Sequence, residues 1–462
     1  MRYPLLLVLL ACMPGLRPQA DRPPNIIVIF ADDLGYGDLG CYGHPSIRTP
    51  HLDRMAREGQ RWTDFYVAAN VCTPSRAALL TGRYPVRSGM TSRVNGVLFP
   101  NSTGGLPAEE VTLAEVLRDR GYATAAIGKW HLGHLPAYLP TAHGFDTYFG
   151  IPYSNDMDLV SELSYGRFWQ QPHDSIRYPD FNVPLLRDTT VVERPADQRT
   201  ITRRYTEAAM DFIRAHREQP FFVYLAHNLP HVPLFASSHF LNRSRRGRYG
   251  DVVEEIDDGV GRILDLLVAE GVAEHTIVVF TSDNGPWRSY GIDGGSPGPF
   301  YAGKGTTWEA GHRVPAIFWG PRRIAPATVH GIGSTLDLLP TFASLTGAAL
   351  PADILLDGID ISTTLTEGTE SARGEIFYYR GPEVYAVRRG MYKAHFVTEG
   401  AYGQFGTRTV HDPPLLYHLG HDPGETTDIA ALHPGLITEL RALVDRHRAT
   451  VAAVKDQLAE RR

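Results

Sequence analysis

Cys72 opens the segment Cys72-Thr73-Pro74-Ser75-Arg76, which runs on through two alanines and two leucines to Thr81, Gly82 and Arg83. Pro74 suits a first helical turn, residues 77–80 favour helix, and Gly82 suits a C-terminal stop. A cysteine placed there faces free N–H groups and the positive end of the helix dipole, both of which favour an anion. Arg76 follows one turn later on the same face, where its fork could hold a tetrahedral oxyanion. Taken alone, the spacing more often means a buried cysteine beside a structural arginine. Asp32-Asp33 and Asp283-Asn284 add three carboxylates and an amide oxygen. Hard oxygen donors of this kind suit Ca²⁺ or Mg²⁺ rather than zinc. Either pair by itself reads as a solvated turn. Lys129 and His131 alternate in Gly-Lys-Trp-His, so in an extended chain both point the same way. His227 and His231 close the inventory of titratable groups, with Lys304 and the hydroxyl of Ser154.

The elements that must carry these residues share one layout. Residues 25–30, 122–127, 221–226 and 276–280 are short, nearly continuous apolar runs, the pattern of strands covered on both faces. Each leads at once into polar residues: Asp32-Asp33, Lys129 and His131, His227 and His231, Asp283-Asn284. Between them, residues 52–58, 113–120, 205–217 and 252–270 carry apolar positions at helical spacing. Strand–helix alternation predicts an α/β domain with helices on both sheet faces, and ligands collect at the carboxyl ends of such strands. That shared placement turns separate weak signals into one expected site. Residues 156–200 are polar and read as an irregular insertion near its mouth. Beyond about residue 346 the runs shorten and their connections are too short for helical crossovers. A four-stranded antiparallel sheet is expected there, with a helix over about residues 434–458. The domains are therefore 21–345 and 346–462, after a leader over 1–20.

Cys72-Thr-Pro-Ser-Arg76 with its Leu-Thr-Gly-Arg83 continuation resembles the signature of type I sulfatases. The resemblance extends from Pro24 to Glu425 and is closest to the arylsulfatase A and N-acetylgalactosamine-6-sulfatase branches. Residues 150–154 (GIPYS) resemble the former; residues 246–251 (RGRYGD) and 256–258 (IDD) resemble the latter. It implies an alkaline-phosphatase-like fold with a large, mostly parallel mixed sheet. It also implies that a dedicated formylglycine-generating enzyme oxidises Cys72 to formylglycine. One Ca²⁺ would sit among Asp32, Asp33, residue 72, Asp283 and Asn284, with Mg²⁺ left open by the residues themselves. His231 would face the sulfate, Lys304 the leaving-group side, and Ser154 the aldehyde. Arg76, Lys129 and Lys304 would hold the sulfate oxygens, and His231 or Lys304 would protonate the departing alcohol. His131 would help a second hydroxyl on residue 72 expel sulfate. His227 has no counterpart and reads as structural.

Bulk properties agree with a soluble exported enzyme. A formal charge of −6 over 462 residues disfavours nucleic acid as a partner. Hydrophobic residues at 43% and charged residues at 21% are ordinary for a globular chain. Arg2 and the apolar run 5–11 read as a signal peptide, too short to span a membrane, and residues 9–12 (LLAC) also fit a lipoprotein box. Export would be periplasmic, secreted or lipid-anchored in a bacterium, and lysosomal or secreted in a eukaryote. Asn101 and Asn242 begin glycosylation sequons that matter only in the second case. A Cys41–Cys72 disulfide is disfavoured by the context of Cys72, and Cys41 reads as a small buried hydrophobe. Expected substrates are sulfated small molecules, glycans or lipids, selected by loops around 93–105, 156–200 and 287–298. Two alternatives remain at this level: a phosphodiesterase or phosphonate hydrolase on the same scaffold, and a non-catalytic binder of sulfated glycans. Oligomeric state is not legible.

Overall fold

A computed structural model describes residues 22–462, except 163, 164, 169 and 172–174. The leader and its lipoprotein box lie outside the described residues. Ten strands form the large sheet: β1 (Asn25–Ala31), β2 (Gln60–Tyr66), β3 (Ala123–Gly128), β4 (Thr147–Gly150), β5 (Leu185–Arg187), β6 (Thr190–Glu193), β7 (Phe221–Ala226), β8 (Thr276–Ser282), β9 (Arg313–Trp319) and β10 (Ala327–Ser334). Their spatial order is β10-β2-β9-β8-β1-β7-β3-β4-β5-β6. The sheet is mixed. β1 runs parallel to β7 and β8, and β3 to β7 and β4, whereas β9 lies antiparallel between β8 and β2.

Period-two alternation divides β1 between two cores. Ile27, Ile29 and Ala31 pack with the Pro50–Glu58, Ile201–His216 and Arg248–Ala269 helices. Ile26, Val28 and Phe30 pack on the other face with the Cys72–Thr81, Leu113–Asp119 and Leu338–Thr346 helices. Every residue of β1 is buried, which is why its run has no polar face.

Four more strands, β11 (Glu375–Arg380), β12 (Glu383–Arg389), β13 (Tyr392–Thr398) and β14 (Thr409–His418), form the expected antiparallel sheet. The Pro434–Ala449 helix covers it through Ile437, Leu440 and Val444. That core also takes in Tyr66, Ala78 and Tyr84, so the two sheets share apolar packing.

Three expectations change. The last helix stops at Ala449 rather than near 458, and the chain beyond it returns to the side of the large sheet. There Gln457 N–H bonds Gly89 O, and Leu458 is fully buried. The insertion 156–200 is less irregular than its composition suggests, because β5 and β6 extend the large sheet and Phe181, Val183 and Leu185 reach its core. Cys41 is half-buried rather than buried, and both Cys41 and Cys72 are free thiols. Among the described residues, no helix is long and apolar enough to cross a membrane.

Candidate active site

The Cys72–Thr81 helix is buried along its whole length, and Gly82 ends it with a left-handed backbone (φ 65°) whose N–H reaches Ala78 O. Its N-terminus points Cys72 at the end of β1, where the thiol lies 3.4 Å from Asp32 Oδ1. Burial, and then the neighbouring Asp32 charge, push this thiol well above its ordinary range. A cysteine held protonated in this way is a weak nucleophile.

Asp33 and His131 both adopt left-handed backbones, at φ 65° and 60°. Such conformations are uncommon for non-glycine residues and concentrate at functional sites. At the end of β3, Gly128 is required: a Cβ there would lie 1.8 Å from Ala226 O. This close approach carries the chain straight into Lys129, whose N–H bonds the same carbonyl.

Side chains from four strand ends then interlock. Lys129 Nζ donates to Asp32 Oδ2 at 2.5 Å and to Ser154 Oγ at 3.1 Å. Lys304 Nζ lies 2.8 and 2.9 Å from the two oxygens of Asp33, and 4.0 Å from the centre of the Trp287 ring. His231 Nε2 is 3.5 Å from Ser154 Oγ and 3.7 Å from Asp33 Oδ2, while Nδ1 donates to Val232 O. His131 is also buried; its Nε2 donates to Leu98 O, leaving Nδ1 without a partner. Burial, with nearby lysines, holds both imidazoles well below their ordinary range, so each is neutral.

The Arg76 fork is not directed at an open oxyanion site. Nε and Nη2 both donate to Asp283 Oδ2, at 3.1 and 2.8 Å, and Nη1 donates to Lys129 O. Three buried carboxylates require fixed counter-charge, and Arg76 supplies part of it. His227, set aside as structural, is buried without a described partner for Nδ1, and burial lowers it to about 4.

The donor set fits a hard divalent cation. One ligand atom each from Asp32, Asp33, Cys72 and His231 lie within 4.8 Å of one another. Asn284 Nδ2 donates to Asp33 Oδ1, but Asn284 Oδ1 is buried with no hydrogen-bond partner among the described residues. An orphaned buried oxygen beside three carboxylates is what a cation would satisfy. The carboxylates differ in charge. Burial pushes Asp283 up to about 7, helped by Asp32, and also raises Asp33. For Asp32 burial acts in the same direction, but the charges of Lys129, Arg76 and Lys304 outweigh it and hold the carboxyl well below its usual range.

A wall of the site comes from a region without a motif. A cavity of about 490 Å³ is lined by Val71 and Pro74 beside the nucleophile position, by Gly305 next to Lys304, and by Tyr385, Tyr402 and Arg408 of the C-terminal region. Tyr402 packs 4.9 Å from Trp287. Residues 399–408 carry glycines that mark turns but no periodic pattern that would have placed them here.

Comparison with known proteins agrees with this geometry. Residues 24–348 match the sulfatase family model, and residues 371–462 match the model for the C-terminal region of aryl-sulfatase. The chain is 45% identical to arylsulfatase A of Homo sapiens, covering 94% of this chain and 89% of that protein. It is 42% identical to N-acetylgalactosamine-6-sulfatase of Mus musculus, covering 91% and 84%. The solved PsFucS1 sulfatase from Pseudoalteromonas sp. superposes with a TM-score of 0.83 at 29% identity, covering 94% and 92%. The chain belongs to the sulfatase family, and its reaction is the hydrolysis of sulfuric esters.

Proposed function

We propose that the protein cleaves sulfate monoesters with a formylglycine formed from Cys72, at a site that holds one calcium ion. The observation that carries this reading is the position of Cys72: at a buried helix N-terminus, 3.4 Å from one of three clustered carboxylates, facing two lysines. Asp32, Asp33, Asp283, Asn284 and residue 72 would hold the ion, which supplies positive charge toward the nucleophilic and sulfate oxygens.

The chain's own residues account for the rest. Residue 72, as an aldehyde hydrate, presents two hydroxyls on one carbon. One hydroxyl gives up its proton, to Asp32 or to the bare Nε2 of His231, and its oxygen forms the new bond to sulfur while the bond from sulfur to the alcohol oxygen breaks. Lys129 and Lys304 face the sulfate oxygens, and fixed positive charge aimed at developing negative charge is the largest usual catalytic contribution. Arg76 acts through its hold on Asp283 and the Lys129 carbonyl. Lys304, or His231 once its Nε2 has taken up the proton of the first hydroxyl, delivers a proton to the alcohol. His131 Nδ1 accepts the proton of the second hydroxyl, the aldehyde C=O reforms, and the Cβ–O bond to sulfate breaks. Maturation by a formylglycine-generating enzyme and export from the cytoplasm belong to the same reading.

Mass spectrometry of the peptide containing residue 72 tests it directly. The expected mass is that of the aldehyde or its hydrate. Unmodified cysteine in a fully active preparation overturns the proposal.

A further inference from the structure

The cavity beside the nucleophile lies between the two sheets, and its lining mixes charged and hydroxyl-bearing side chains with small apolar ones such as Val71, Pro85 and Val86, a mixture that matches the hydroxyls and apolar ring faces of a sugar. Arg380 lies 3.5 Å from Glu399 and Arg408 3.2 Å from Glu383, while Tyr385 Oη donates to Glu399 at 2.7 Å. These groups neutralise one another at the cavity wall. Arg93 differs. It lines the same cavity, is exposed, and among the described residues has no hydrogen-bond or ion-pair partner. An acyl chain buried here would strip water from charged groups without replacing their hydrogen bonds, whereas sugar hydroxyls replace them.

We propose that this cavity is a subsite for the alcohol half of the substrate, that the alcohol is a sugar chain, and that Arg93 binds an acidic group on the sugar beside the sulfated one. The inference rests on the sulfate-ester reading above and adds the substrate class. Carboxylate and sulfate are the two sources of that acidic group, and both suit a guanidinium fork.

The test compares kcat/KM of the full-length enzyme and its Arg93→Ala and Arg93→Lys variants on five probes. These are p-nitrophenyl sulfate, a neutral sulfated disaccharide, the same disaccharide with a uronic acid neighbour, one with a second sulfate, and a micellar sulfated glycolipid. The wild type is expected to prefer at least one acidic disaccharide to the neutral one. Arg93→Ala should lower the acidic-to-neutral ratio about tenfold, the loss of one charge-assisted contact. Arg93→Lys should recover part of that ratio, which a merely structural role would not do. Equal use of acidic and neutral sugars, an equal loss on every probe, or a preference for the glycolipid overturns the proposal. Failure of the wild type to hydrolyse any of the five probes overturns the underlying chemistry instead.

Discussion

Cys72 sits where a helix dipole, two lysines and three carboxylates converge, and each neighbour has a consequence for what substitution does. Serine at position 72 retains an oxygen nucleophile but lacks the second hydroxyl that would expel sulfate. Cys72→Ser is therefore expected to trap a sulfated enzyme, about 80 Da heavier by intact mass, without steady turnover. Native kcat for that variant on an aryl sulfate would falsify the scheme. His231 and Lys304 can be separated by leaving group. Losing the proton donor should reduce hydrolysis of a sulfated sugar by about 10²–10⁴-fold. It should affect p-nitrophenyl sulfate much less, because p-nitrophenolate departs without a proton. Whichever alanine variant shows that selective loss identifies the donor. For the ion, the unpartnered Asn284 Oδ1 predicts that chelation lowers both activity and Tm. Ca²⁺ should restore both, and restoration by Zn²⁺ alone would contradict the oxygen-donor assignment.

The elements differ in how openly they were written. β1, β3, β7 and β8 were legible because strands buried on both faces leave uninterrupted apolar runs, and their polar successors stood out by contrast. β5 and β6 were not, since they are three and four residues long and β6 is mostly exposed. In the Pro434–Ala449 helix, His447 stacks on Phe377 with ring centroids 3.9 Å apart, and Tyr379 Oη lies 2.7 Å from His447 Nε2. Burial lowers this imidazole from 6.5 to about 4. A depressed folded-state value means that its stabilisation is complete above about pH 6.5 and is lost as pH falls through about 4. The associated slope is at most about 1.4 kcal/mol per pH unit. His447→Phe should flatten that part of the Tm–pH curve while lowering stability at neutral pH, because Tyr379 loses its acceptor. An unchanged acid slope would remove His447 as its source.

At the scale of the molecule, catalytic groups were readable and the wall facing them was not. Asp32, Lys129, His231 and Asp283 each follow a strand, whereas Tyr402 and Arg408 reach the cavity only because the second sheet packs against the first. The same dependence governs stability. Leu458 has no exposed surface and joins the core beneath the large sheet, far in sequence from its partners. Leu458→Ala should cost about 2–5 kcal/mol by chemical denaturation, a core-sized loss from an irregular segment that follows the Pro434–Ala449 helix. A change below about 0.5 kcal/mol, typical of a surface position, would show the tail to be dispensable.

Strand order also sets a timetable. Among the described residues β2, which leads into the nucleophile helix, pairs with β9 and β10 alone, and these end at Trp319 and Ser334. During synthesis, Cys72 thus emerges about 260 residues before its supporting strand can be hydrogen-bonded on both sides. At ordinary elongation rates that is roughly 13–50 s. In the finished protein the same side chain is almost wholly enclosed. Any enzyme that must handle this cysteine has a deadline, set by translation speed and by the arrival of β9 and β10. Slowing elongation should lengthen that interval and raise the fraction of chains converted.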